Sequence, residues 1–117
     1  MGYHTEFSGE FKTDKPVDAE TFLKMRGLLH TEHDEDNFPS YYCQWEMQDD
    51  KQTIQWDEEE KFYEYIKWIE FIICKILKPA GYKLSGRVTW QGEEIGDVGV
   101  IVIKDNSLDT QKAKFTI

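Results

Sequence analysis

The sequence is poor in the features that mark several common protein classes. It contains only two cysteines, Cys43 and Cys74, and their spacing fits neither a redox pair nor a zinc site. No apolar run is long enough to span a bilayer, and the first residues lack the basic and apolar parts of a secretion signal. We therefore expect a cytoplasmic protein that folds without a disulfide and does not bind a membrane.

Basic residues are also scarce, since 14 lysines and arginines stand against 23 acids and the formal net charge is -9. Residues 1–60 carry 16 acids and 5 bases (-11), whereas residues 61–117 carry 7 acids and 9 bases (+2). Nucleic-acid affinity comes mainly from Lys and Arg displacing counterions, so direct binding to DNA or RNA is not expected. An acidic surface instead attracts a basic protein surface.

Catalytic and cofactor-binding motifs are absent from the sequence. It has no nucleophile elbow, phosphate-binding glycine loop, zinc-protease helix or dinucleotide fingerprint. We therefore predict a protein that is not an enzyme and needs no cofactor.

His30 and His33, beside a run of acids, could share a divalent ion with one carboxylate. Because a polar loop fixes no third ligand, a solvated acidic loop is the favoured interpretation of this segment.

The length of 117 residues and the 39% apolar content predict a single domain, residues 1–117, with one core. Alternating apolar residues predict strands, and apolar residues at helical spacing predict helices. The predicted elements are a strand over 3–12, a helix from the N-cap Asp18 to His30, a hairpin over 41–57, a helix over 57–77, and strands over 82–91, over 98–103 and at the end of the chain. The hairpin pattern pairs Trp45 with Trp56 and Met47 with Ile54.

This order, β-α-β-β-α-β-β with one further strand allowed, predicts an α+β fold. The expected sheet is antiparallel, has four to six strands, and carries both helices on one face. The first six elements are those of a split β-α-β, or ferredoxin-like, arrangement.

Several sequence blocks resemble a family of small bacterial and phage proteins for which no activity is established. They are the opening MGYxTxFxGxF, the segment YCQW at 42–45, the segment WDxxEKFYxY at 56–65 and the block GYxLxGxVxWQGE at 81–93. The resemblance implies an origin in a bacterium, its phage or a prophage. Because no activity is established for that family, the resemblance assigns no catalytic residue to this chain.

Two candidate binding surfaces follow from the charge and aromatic patterns. The first is an acidic face in the N-terminal half that could imitate a row of phosphates, made of Glu32, Asp34, Glu35, Asp36, Asp49 and Asp50. The second is an aromatic patch on the outward side of the second predicted helix, made of Trp68 and Phe71. Either the early loop, residues 31–40, or the last strand covers these two aromatics, or they are anchors of an interface.

The leading hypothesis is a non-enzymatic acidic binding protein, specifically a phage-encoded inhibitor of a host defence or nucleic-acid-handling protein. Its partner would be a protein with a basic surface. The alternatives are a homo-oligomeric structural or small-ligand-binding module built on Trp68 and Phe71, which includes a homodimer, and a metal-binding protein using His30 and His33.

Overall fold

The computed structural model describes residues 4–29, 31–59 and 61–112, and these contain six strands and two helices. In chain order they are β1 (Thr5–Thr13), α1 (Ala19–Gly27), β2 (Trp45–Met47), β3 (Thr53–Trp56), α2 (Tyr65–Ile72), β4 (Leu84–Gly92), β5 (Val98–Lys104) and β6 (Ser107–Lys112). One π-helical turn, Ile73–Leu77, continues α2. No helix among the described residues combines the length and apolarity that crossing a bilayer requires.

The six strands form one sheet in the order β2-β3-β1-β4-β5-β6, and all neighbours are antiparallel. α1 connects β1 to β2, and β3 lies between these two strands in the sheet. α2 connects β3 to β4, and β1 lies between them. Two interlocked split β-α-β units therefore build the first four strands, and β5 and β6 extend the sheet at one side. The predicted α+β class and element order are confirmed.

The core lies on one face of this sheet. Phe11, Val88 and Ile101 line that face along β1, β4 and β5, and all three are buried. Both helices contribute to the same cluster, α1 through Met25 and α2 through Trp68, Ile69 and Ile72. The intervening strand residues, such as Glu10, Arg87 and Val102, are exposed, so the opposite face of the sheet is open to solvent.

The hairpin register is as the sequence predicts, because Trp45 pairs with Trp56 and Met47 pairs with Ile54. The predicted N-cap of α1 is also confirmed, since the Asp18 carboxylate accepts the Thr21 backbone N–H at 2.8 Å. α1 ends at Gly27, three residues before the predicted end. His30 itself lies outside the described residues, as do residues 113–117 of the predicted last strand.

The second helix begins eight residues later than the sequence predicts. Over 57–59 and 61–64 the chain is not helical, and Glu58, Lys61 and Glu64 adopt positive φ values of 68°, 61° and 58°. The Asp57 carboxylate accepts the Glu59 backbone N–H at 2.9 Å, which caps a turn instead of a helix. Glu60, the other half of the predicted capping box, lies outside the described residues.

Burial of Phe62 offsets the loss of the predicted helical turns. Its ring is 3% exposed and packs edge-on against Phe7 of β1 and Trp45 of β2, with ring centroids 5.7 and 5.3 Å away. Burial of a whole aromatic ring is worth about 1.5–3 kcal/mol, which is comparable with a few tenths per residue summed over the segment that leaves the predicted helix. The irregular segment 57–64 places Phe62 at this position.

Candidate functional site

Three connections meet at one end of the sheet and hold half of the acids among the described residues. They are residues 31–44 before β2, residues 57–64 after β3, and residues 93–97 after β4. Their described residues include eleven acids and one lysine: Glu32, Asp34, Glu35, Asp36, Asp57, Glu58, Glu59, Glu64, Glu93, Glu94, Asp97 and Lys61. We call this region the acidic end.

Strand order brings these connections together, and direct contacts join them. Asp57 donates its backbone N–H to the Gln44 carbonyl at 2.9 Å, which links the first two connections. The His4 backbone N–H donates to the Glu93 carboxylate at 2.6 Å, and the His4 ring lies 6.1 Å from that of Trp56. His4 therefore links the third connection to the end of β3, where the second connection begins. At the opposite end, the connections 14–18, 48–52, 78–83 and 105–106 hold five acids and four lysines.

A cleft of about 710 Å³ opens between the first two connections of the acidic end. Tyr41, Tyr42 and Tyr63 line it, and each is about half exposed. The charged residues of its wall are Glu35, Lys61, Glu64 and Lys67. We call this feature the tyrosine cleft; its volume lies in the range of ordinary ligand sites.

Two carboxylates act on one tyrosine of the cleft. Hydrogen bonding and negative charge from Glu35, followed by the charge of Glu32, raise the pKa of Tyr41 above its ordinary value. On the other wall, Lys67 pairs with Glu64 at 3.3 Å. The cleft therefore offers aromatic faces and carboxylate oxygens to a ligand, while one of its lysines is already paired.

Trp68 and Ser40 fix the shape of the cleft. The indole N–H of Trp68 donates to the Ser40 hydroxyl at 2.7 Å, and that hydroxyl donates to the Tyr63 carbonyl at 3.1 Å. Phe38 stacks on Trp68 and contacts Phe71, with ring centroids 6.1 and 5.3 Å away. The core thus holds both walls of the tyrosine cleft in place.

The six acids expected to form one face do not form a single patch. Glu32, Asp34, Glu35 and Asp36 lie at the acidic end, before β2, whereas Asp49 and Asp50 lie in the turn after β2. A strand separates the two groups, and strands rise about 3.3 Å per residue. Asp49 pairs with Arg26 at 2.7 Å.

Asp50 has a structural role in its turn. Its carboxylate accepts the backbone N–H groups of Gln52 and Thr53 and the Thr53 hydroxyl, and these bonds lower the pKa of Asp50. It therefore organises the turn after β2.

Trp68 and Phe71 do not form the expected exposed patch. Trp68 is fully buried, and Phe38 partly covers Phe71. The early loop covers these aromatics, which is the first of the two readings left open by the sequence. An oligomer interface that needs Trp68 at the surface therefore has no structural basis.

His33 has a packing role in the early loop. Its ring lies 4.5 Å from that of Phe38 and 5.3 Å from that of Trp68, and its Nε2 lies 2.9 Å from the Leu28 carbonyl. Among the described residues, no group of three or more His, Cys, Asp or Glu side chains could hold a metal ion. His30 lies outside the described part of the chain.

The two cysteines differ sharply in environment. Burial raises the pKa of the Cys43 thiol to about 12, whereas Cys74 is exposed on the turn that continues α2. At about pH 8 the native protein should therefore react rapidly with one equivalent of a thiol reagent, because only the thiolate is nucleophilic. Cys74→Ser should abolish this rapid phase and Cys43→Ser should preserve it, as followed by absorbance. Two rapid equivalents from the wild type would contradict the burial of Cys43.

Sequence reasoning missed several residues of this site. Glu93, Glu94 and Asp97 belong to the half of the chain with a positive balance, so only the strand order shows that they join the acidic end. Tyr42 and Tyr63 stand in the segments YCQW and WDxxEKFYxY, but no function is attached to those segments. No protein-family model, curated protein or solved structure matches this chain.

Proposed function

We propose that this protein is a non-enzymatic binding protein that captures a basic surface of another protein through its acidic end. The observation that carries the proposal is the meeting of three separate connections, with eleven acids and one lysine among their described residues. A cleft lined by tyrosines lies between the first two of them. Such a concentration of one charge raises the rate of encounter with a basic partner.

The tyrosine cleft supplies the short-range part of this interaction. Tyrosine faces attract the ammonium and guanidinium groups of Lys and Arg, and half-exposed tyrosines are common anchors at protein interfaces. In this arrangement an arginine or lysine of the partner enters the cleft between Tyr41, Tyr42 and Tyr63, and the carboxylate of Glu35 accepts its hydrogen bonds.

The biological setting that fits this chemistry is inhibition of a host protein in the cytoplasm. A basic groove that normally holds nucleic acid is the commonest strongly basic protein surface, because phosphate binding requires clustered Lys and Arg. A phage-encoded inhibitor of a defence or nucleic-acid-handling protein would occupy that groove with its acidic end.

A titration with a short arginine-glycine peptide, followed by NMR of the ¹⁵N-labelled protein, tests the proposal. We expect shift changes concentrated in 31–44, 57–64 and 93–97, and little change with a glutamate-glycine peptide of equal length. Raising the salt from about 0.1 M to about 1 M shortens the screening length from about 10 Å to about 3 Å and should weaken binding. Changes centred on the opposite end of the sheet, or equal changes with both peptides, would refute it.

Matched variants separate the charge and aromatic contributions. Asp36→Lys should weaken peptide binding, whereas Asp109→Lys, an equal change of net charge on the exposed β6, should leave it nearly unchanged. Tyr42→Ala should weaken binding even at high salt, because it removes an uncharged contact. Leu23→Ala, at a side chain that is 68% exposed on α1, is its control.

A further inference from the structure

The two edges of the sheet differ in how they are protected. The β2 edge is three residues long, and the Leu29–Cys43 bridge lies just before it. The guanidinium of Arg26 also donates to the Met47 carbonyl at 3.1 Å. Short length and a covering side chain are devices by which native sheets avoid joining other strands.

The β6 edge lacks these devices. It is six residues long, and its pairing with β5 runs without a break from Gly99–Lys112 to Lys104–Ser107. The strand contains no proline and only two charges, Asp109 and Lys112. Among the described residues, no other strand and no side chain bonds to its outer backbone groups.

We propose that β6 pairs with β6 of a second copy of this chain, so that two six-stranded sheets become one sheet of twelve strands. Two antiparallel strands related by a two-fold axis require that axis to stand perpendicular to the sheet, because it must exchange the copies and reverse the strand direction. Both copies then keep their helices on the same face of the joined sheet. The interface is isologous and closes at two copies.

The side chains of β6 are compatible with this pairing. With the axis at Thr110, Thr110 faces its own copy, Asp109 faces Gln111, and Leu108 faces Lys112. No like charges stand opposite each other, and cross-strand pairs of threonines are favourable. The arrangement uses an exposed strand and leaves the tyrosine cleft, on another part of the molecule, free in both copies.

Sedimentation equilibrium over a range of protein concentrations tests this pairing directly. The wild type should show a reversible monomer–dimer equilibrium, and Thr110→Lys should be monomeric because it places two ammonium groups across the axis. Thr89→Lys makes the same substitution on the interior strand β4, at an exposed position, and should still dimerise. A wild type that is monomeric throughout, or two variants that behave alike, would overturn the proposal.

Hydrogen exchange identifies the edge that is used. The outward backbone amides of β6 should be protected more strongly as protein concentration rises, while those of β2 should not change. Protection that rises at β2, or at neither edge, would show that any association uses another surface.

Discussion

Replacement of Trp68 by alanine should lower the free energy of unfolding by about 3–5 kcal/mol. The side chain is fully buried, and its ring contacts those of His33, Phe38 and Phe71. The substitution also leaves the Ser40 hydroxyl without its indole donor. Urea denaturation followed by circular dichroism measures the change.

Two further variants give this prediction its controls. Leu23→Ala should change stability by less than about 0.5 kcal/mol, because this leucine is 68% exposed. Trp68→Phe keeps most of the buried volume and removes the hydrogen bond, so it should cost less than the alanine and still perturb Tyr63 in NMR spectra. If Trp68→Ala lowered the free energy of unfolding by less than about 1 kcal/mol, the burial of Trp68 beneath the early loop would be contradicted.

Replacement of Gly86 by alanine should cost more than about 2 kcal/mol, for a reason that lies in the backbone. Gly86 has a φ of 146°, which side-chain-bearing residues rarely adopt, and it pairs with Phe11 of β1. An added Cβ would stand 2.5 Å from the Glu10 carbonyl oxygen and 2.7 Å from the Phe11 Cα. Neither backbone atom can move without disturbing the central pair of strands.

Gly27 provides the matched control for Gly86. It is the last residue of α1, and no atom lies within 4 Å of the position that a Cβ would take. Gly27→Ala should therefore raise stability by about 0.4–1 kcal/mol, because it restricts the unfolded chain without straining the native one. Comparison of the two variants by urea denaturation isolates the crowding at Gly86. Equal effects at both glycines would argue against the close approach of β1 and β4.

The hairpin could be predicted from the sequence to the residue. Alternation on both sides of a polar turn fixes which side chains share a face, and one apolar face then admits only the pairing of Trp45 with Trp56. The N-cap at Asp18 was equally readable, because capping is a local interaction between a side chain and a nearby N–H.

The start of α2 could not be read in this way. Acidic residues before an amphipathic run suit a helix start, and Phe62 falls on the same helical stripe as Ile66 and Ile69. In the folded chain Phe62 contacts Phe7, more than fifty residues earlier in the chain. Local preference carries no information about such a partner.

The acidic end also depends on information beyond local patterns. Counting charge along the chain assigned the negative surface to the N-terminal half, and it therefore included Asp49 and Asp50 and omitted Glu93 and Glu94. Each strand or helix returns the chain toward the opposite end of the sheet, so successive loops alternate between the two ends. Which charges meet in space therefore follows from the strand order.

The accumulation of charge at one end gives each molecule a large electrical dipole moment along its strands. In the field of a positively charged surface, such a molecule experiences a torque and turns its tyrosines forward before it touches that surface. Two chains joined about an axis perpendicular to the sheet would point in opposite directions, so these moments would cancel. The dimer would then carry negative charge at both ends and would bind two basic surfaces at once.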